Sequence, residues 1–159
     1  MNKFAIMAAV AAAALMAAPM SAHAQSYVGL GYTQFDFDGG EVDAVTARLG
    51  YKFNPNIAVE GEGSFGVSDD DAIELNHNVG AYVRGILPIT DSFDVHGRVG
   101  YQITEVDTPL GDADADGIGY GAGAEWRLSP SFGIRGDWTR IEGDDEEADA
   151  ISIGGVLNF

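Results

Sequence analysis

Three stretches carry residues whose types and spacing could do chemistry. In "GDADADG" (Gly111 to Gly117), Asp112, Asp114 and Asp116 stand at alternate positions before a glycine, as in the first half of a calcium loop. The twelfth position, counted from Asp112, is Gly123 where such a loop needs a bidentate glutamate, and no helical period flanks it. An EF-hand is therefore not expected. Two readings stay open: a solvated acidic loop, or a looser, weak divalent-cation site with Asp69 to Asp71, Asp112 to Asp116 and Asp144 to Glu147 converging at one mouth. "GIGYGA" (Gly117 to Ala122) can be aligned with a degenerate dinucleotide turn, but that chemistry needs a preceding strand and a following helix, and no helix-like period follows. A serine with a partnering histidine would suggest hydrolysis. Ser64 and Ser152 have no histidine beside them in sequence, and His77 and His96 have no paired nucleophile. No catalytic residue, resident cofactor or dedicated metal centre is assigned, and the chain is not expected to be an enzyme.

The elements that position these residues follow a different logic from a soluble enzyme. Lys3, the apolar run "FAIMAAVAAAALMAA" and the small-residue stretch "PMSAHA" read as a secretory signal peptide, with Ala22 and Ala24 in cleavage spacing. The expected organisation is a cleaved signal over 1–24 and one domain over 25–159. No later segment approaches the ~20 consecutive apolar residues of a membrane helix. All 25 acidic residues fall after the signal, against seven of the eight basic ones. Such a surface repels nucleic acid and anionic polysaccharide. The absence of cysteine removes any disulfide framework or thiolate metal site.

Beyond the signal, the dominant period is two. "AVTARLGYKF" sets Val45, Ala47, Leu49, Tyr51 and Phe53 against Thr46, Arg48, Gly50 and Lys52, and "FDVHGRVGYQIT" repeats the pattern from Phe93 to Thr104. Eight such segments are expected, over about 26–37, 43–53, 57–67, 75–87, 93–105, 117–128, 132–142 and 148–159, with ends uncertain by two to four residues. Their connections alternate. "NPN", "PITDS" and "SPS" are short turns, whereas those around "DGGEVD", "SDDDAIE", "VDTPLGDADAD" and "EGDDEEADA" are longer and acidic. Tight turns at one end and polar loops at the other predict an all-β, eight-stranded antiparallel up-and-down transmembrane barrel.

A soluble barrel would show the same period with its sense reversed, so the placement of charge decides the reading. Arg48, Lys52, Arg84, Arg98, Arg127 and Arg135 all lie on the parity opposite the apolar face, and only Arg140 departs from it. Glu60, Glu62, Asp94, Glu125, Asp137 and His96 share that parity, which predicts a lumenal ion-pair network. Symmetric hairpins would set Arg48 opposite Glu62 and Glu125 opposite Arg135. Arginine suits such sites because its fixed fork satisfies a carboxylate bidentately. Inward glycines at 117, 119, 121 and 123 would leave room for long side chains from opposite strands. Aromatics gather near both strand ends: Tyr27, Tyr51, Phe53, Phe93, Trp126, Phe132 and Phe159 by the short turns, Tyr32, Phe65, Tyr101, Tyr120 and Trp138 towards the loops. Two girdles of this kind are what lipid interfaces favour.

With its signal peptide, eight strands, "NPN" and "SPS" turns and terminal Phe159, the chain resembles the small outer-membrane β-barrels of the OmpA/OmpX and opacity-porin type. The resemblance spans the whole mature chain and rests on pattern more than on long motifs. It implies the outer membrane of a Gram-negative bacterium, contact with lipid and lipopolysaccharide, and recognition of the last strand, ending on Phe159, by the barrel-assembly machinery. Nothing follows strand eight, so the peptidoglycan-binding domain of full-length OmpA is not expected. A monomer is expected, contributing to envelope integrity or surface interaction through its acidic loops. The alternative is a narrow, porin-like conduit for small or apolar solutes, gated by the lumenal pairs.

Overall fold

The computed structural model describes residues 25–38, 40–67, 74–108, 111–143 and 147–159; the expected signal peptide lies outside the described residues. Eight strands follow one another: β1 (Gln25–Phe37), β2 (Gly40–Asn54), β3 (Ile57–Gly66), β4 (Glu74–Pro88), β5 (Phe93–Thr108), β6 (Gly111–Arg127), β7 (Phe132–Gly143) and β8 (Glu147–Asn158). Each pairs antiparallel with the next, and β8 returns to β1, so the sheet closes as a barrel. Closure joins the first strand to the last, so the wall needs no free edge where hydrocarbon surrounds it. At the seam Ser26 and Phe159 exchange backbone hydrogen bonds of 3.1 and 2.9 Å, which gives the terminal residue a structural place in the ring.

The short turns are locally encoded. Asn54 Oδ1 accepts from the Asn56 amide at 2.8 Å, Thr90 Oγ1 from those of Ser92 and Phe93, and Ser129 Oγ from that of Phe132 at 3.0 Å. Each side chain replaces a backbone partner that the turning chain has lost. At the other end, the β1–β2 connection needs Gly40, whose φ of 147° is closed to L side chains.

Seven strands begin and end close to the expected limits. β6 differs, since it starts at Gly111 rather than near 117, and Asp112, Asp114 and Asp116 are strand residues instead of loop residues. Asp and Gly weaken strand propensity, but pairing with β5 continues as far as Thr108↔Gly111 and outweighs it.

The barrel is inverted relative to a soluble one. Leu30, Phe65, Val83, Val99, Ile151 and Ile153 are each more than half exposed, whereas Arg84 and Glu125 are fully buried. Apolar side chains cover the outer surface, and the interior is filled mainly with polar ones, with small apolar clusters beside them.

The charged lumen as candidate functional site

The bore of an eight-stranded barrel is just wide enough for side chains to fill it. Here they do so in layers. Nearest the short turns, Lys52 reaches Asn158 Oδ1 at 3.3 Å, and Arg127 meets Asp94 at 2.6 Å while donating to the Asp91 carbonyl. Arg84, from β4, contacts Glu125 at 3.0 Å and Asp94 at 3.5 Å. At mid-height Arg135 grips Glu60, which also accepts from the Tyr27 hydroxyl, and its Nε lies 2.9 Å from Asp137. Glu62 is shared between Arg48 at 2.6 Å and Arg98 at 2.7 Å, and Arg48 also reaches Asp137 at 3.0 Å. Glu60, Glu62, Asp94 and Asp137 thus meet cations from more than one strand, and Glu125 is held by Arg84, which is how buried charge avoids a prohibitive desolvation cost.

His96 has a defined chemical state within this lattice. Arg84 Nη2 lies 2.9 Å from its Nδ1, and a guanidinium can only donate. Nδ1 therefore accepts and the proton sits on Nε2, which donates to Asp137 Oδ1 at 2.6 Å. The ring is a neutral bridge between a cation and an anion. Ser152 accepts from Arg48 at 2.8 Å, and Ser64 pairs with Thr46 at 2.7 Å. Among the described residues no cluster of three or more metal-ligating side chains occurs.

Above the charges lies a neutral layer. Thr33, Thr46 and Ser64 form a hydroxyl chain with spacings of 2.6 and 2.7 Å, Asn78 donates to Thr104, and Tyr82 donates to Gln102. Higher still, Phe35, Val42, Ala44 and Ala150 make an apolar cluster on the inner wall, flanked by Phe37 and Ile141.

All twelve residues expected in the lumenal network line the lumen. The expected opposition of Arg48 to Glu62 and of Glu125 to Arg135 is present in the strand register. Only the first pair forms a contact, because Arg135 reaches across to Glu60 and leaves Glu125 to Arg84. Tyr27, expected in the lipid girdle, is instead a buried lumenal residue. The β1 inner face beside it holds Gly29 and Gly31, which leave only Gln25 and Thr33 as polar marks on that side. Tyr82, Ser152 and Thr139 also belong to the lattice, the first through a cation–π contact with Arg98 at 4.1 Å. Their parity with Arg84, Asp137 and the other charges was the available signal. Inward glycines do make room, for side chains from a paired strand and from one two strands away. A Cβ on Gly50 would lie 2.0 Å from the Tyr27 ring of its own pairing partner, and one on Gly119 would meet the Tyr82 hydroxyl at 2.8 Å.

Outside the wall, Tyr101 and Tyr120 donate to Asp116 and Glu142 at the long-connection end. Beyond Trp138 in the same direction, Arg140 and Asp149 pair at 2.9 Å. The hydrogen bond from that guanidinium holds the Asp149 carboxyl below the usual range. The side chain of Asp116 is exposed, and β6 continues outward through the positions of Asp114 and Asp112.

The outer membrane protein beta-barrel domain family matches residues 5–159. No curated protein matches the sequence. Among solved structures, the N-terminal β-barrel domain of OprF from Pseudomonas aeruginosa is similar at 11% identity and a TM-score of 0.70, covering 85% of this chain and 97% of that one. Ail, the attachment invasion locus protein of Yersinia pestis, in complex with the heparin analogue sucrose octasulfate, is similar at 18% identity and a TM-score of 0.63, covering 86% and 99%. Neisserial surface protein A follows the same pattern at 14% identity, a TM-score of 0.57, and coverage of 86% and 97%. At these identities the likeness establishes the shared barrel fold.

Proposed function

This chain belongs to the outer membrane protein beta-barrel family of the Gram-negative envelope, and from that premise we propose that it is a closed, non-enzymatic barrel whose acidic outer end holds lipopolysaccharide through bridging divalent cations. The observation that carries this reading is the separation of charge. Six of the seven basic residues after the signal lie in the lumen with five carboxylates. Of the 25 acidic residues, removing those five and Asp91 in a short turn leaves nineteen in or beside the four long connections, with Arg140 as their sole basic companion. Barrels of this class turn their long connections outward. Lipopolysaccharide phosphates meeting such a surface would be repelled unless divalent cations lay between them. Asp112, Asp114 and Asp116 stand where those cations would gather, held weakly and exchangeably.

Ail is described with a heparin analogue; the charge of this chain favours the opposite preference, and sulfated polyanions should not bind. The test is co-purification of lipopolysaccharide with the folded, heat-modifiable protein in Mg²⁺ and in EDTA. Association in Mg²⁺ that is lost in EDTA supports the proposal, and association that survives EDTA contradicts it.

A second reading, a narrow conduit for small solutes, has one observation in its favour. Arg84 Nε and Nη1, Glu125 Oε1, Gln102 Nε2 and Asn78 Oδ1 are buried without a hydrogen-bond partner, and such atoms ordinarily hold water. Planar-bilayer conductance that changes on Arg48→Ala or Glu125→Ala would support it. A silent barrel supports the closed form.

A further inference from the structure

The lumenal charges do not cancel. Six cations face five carboxylates there and His96 is neutral, so one positive charge is in excess among the described residues. The excess sits on Lys52. Each of the five guanidinium groups, from Arg48, Arg84, Arg98, Arg127 and Arg135, lies within 3.0 Å of a carboxylate oxygen. The Lys52 ammonium instead has one hydrogen-bond partner among the described residues, the neutral Asn158 Oδ1 at 3.3 Å, and both side chains are buried to 8% exposure. Glu125 and Asp94 attract it from beyond hydrogen-bond reach, but Arg84 and Arg127 repel it, so its charged neighbours largely offset one another. A buried charge with no counter-charge is strongly disfavoured.

The surroundings of Lys52 restrict what can balance it. In the strand register Ala58 stands between Lys52 and Arg84 and contributes only a methyl group. Both cations face the Tyr27 ring, Lys52 Nζ at 5.4 Å and Arg84 Cζ at 5.9 Å from its centroid. Tyr27 and Ala58 belong with Ile86 and Val156 to a buried apolar cluster, so the ammonium is poorly solvated. Donors remain unused beside it, since Asn158 Nδ2 and Arg84 Nε and Nη1 are buried without a hydrogen-bond partner. A water molecule would satisfy donors but leave the charge. A phosphate would bring more acceptors than these donors can meet and more negative charge than the single excess. We propose that the short-turn end of the lumen holds one monovalent anion of halide size, bound between Lys52 Nζ and Asn158 Nδ2. Because the long connections of such barrels face outward, the anion enters from the periplasm.

The probe is bromide. Anomalous diffraction from wild-type crystals soaked in sodium bromide should show a peak in contact with Lys52 Nζ and Asn158 Nδ2. In solution, urea unfolding from phospholipid vesicles is compared in bromide and in gluconate, an anion too large for the site, at one ionic strength. Above half-saturation the wild-type ratio of folded to unfolded protein should rise about tenfold for each tenfold increase in bromide. Lys52→Met should lose that dependence, and in gluconate it should be at least as stable as the wild type because it carries no unmatched charge. Heat-modifiable migration shows that the variant folds, and the diffraction experiment needs only the wild type. Lipopolysaccharide is absent throughout, so this inference and the function proposed above can fail separately. A site without a bromide peak, filled by water beside a deprotonated amine, overturns the proposal. So does a peak with no bromide-dependent ratio, which marks an adventitious ion only, and so does a bromide response that survives in Lys52→Met.

Discussion

Two regions of this barrel use the same residue type in opposite ways. In the lumen Glu60, Glu62 and Asp137 are each surrounded by guanidinium groups from several strands. In the outer part of the β5–β6 hairpin, the strand register pairs Asp112 with Asp107 and Asp114 with Glu105. The lumenal acids are a structural material, since the interior can be filled only if each charge is cross-linked. The outer acids contribute little to holding the fold and leave an unbalanced field at the surface. The difference teaches that net charge, formally −17 for the whole chain, says little about where the charge works.

The largest expected effect comes from breaking the lumenal side of this comparison. Arg135→Leu leaves Glu60 and Asp137 without their shared cation, and should cost about 3–5 kcal/mol in reversible urea unfolding from lipid vesicles. Packing around the lattice comes next. Gly50→Val drives a side chain into the Tyr27 ring and should cost about 1–3 kcal/mol, whereas Gly63→Val, where an added Cβ meets nothing within 4 Å, should be neutral or mildly favourable. Tyr27→Phe removes one hydroxyl from Glu60 and should cost about 1.5–3 kcal/mol in the same assay.

The strands and their two faces were legible in the sequence because the period of two survives everywhere that one face meets lipid and the other the lumen. The composition of the lumenal set was legible for the same reason. Its wiring was not. Arg135 meets Glu60 and Arg48 meets Asp137 across the bore, and those encounters depend on the stagger of the closed sheet, which no local pattern records. Tyr27 was misplaced because glycines beside it erase the polar mark of its face. The early start of β6 was hidden because Asp-Ala-Asp-Ala-Asp alternates like a strand yet is composed like a loop, and only pairing with β5 decides between them.

The smallest effect is expected at the exposed Arg140–Asp149 pair, a bridge between the two regions in kind. Arg140→Gln should shift the unfolding midpoint only slightly, and less at high salt. Because Asp149 is held below the usual carboxylate range, its small contribution is present near neutral pH and is lost as pH falls through its folded-state value. A pH titration of the wild-type minus variant difference should therefore fall towards zero in acid.

The most direct test of the contrast is to neutralise one acid in each region and compare unfolding free energies in the same vesicles. Glu62→Gln strips Arg48 and Arg98 of their shared anion and should destabilise the barrel by about 3 kcal/mol or more. Asp114→Asn removes a like-charge opposition and should leave stability unchanged or raise it by about 0.2–1 kcal/mol. Equal losses from the two substitutions would contradict the division between a paired lumen and an unpaired outer edge.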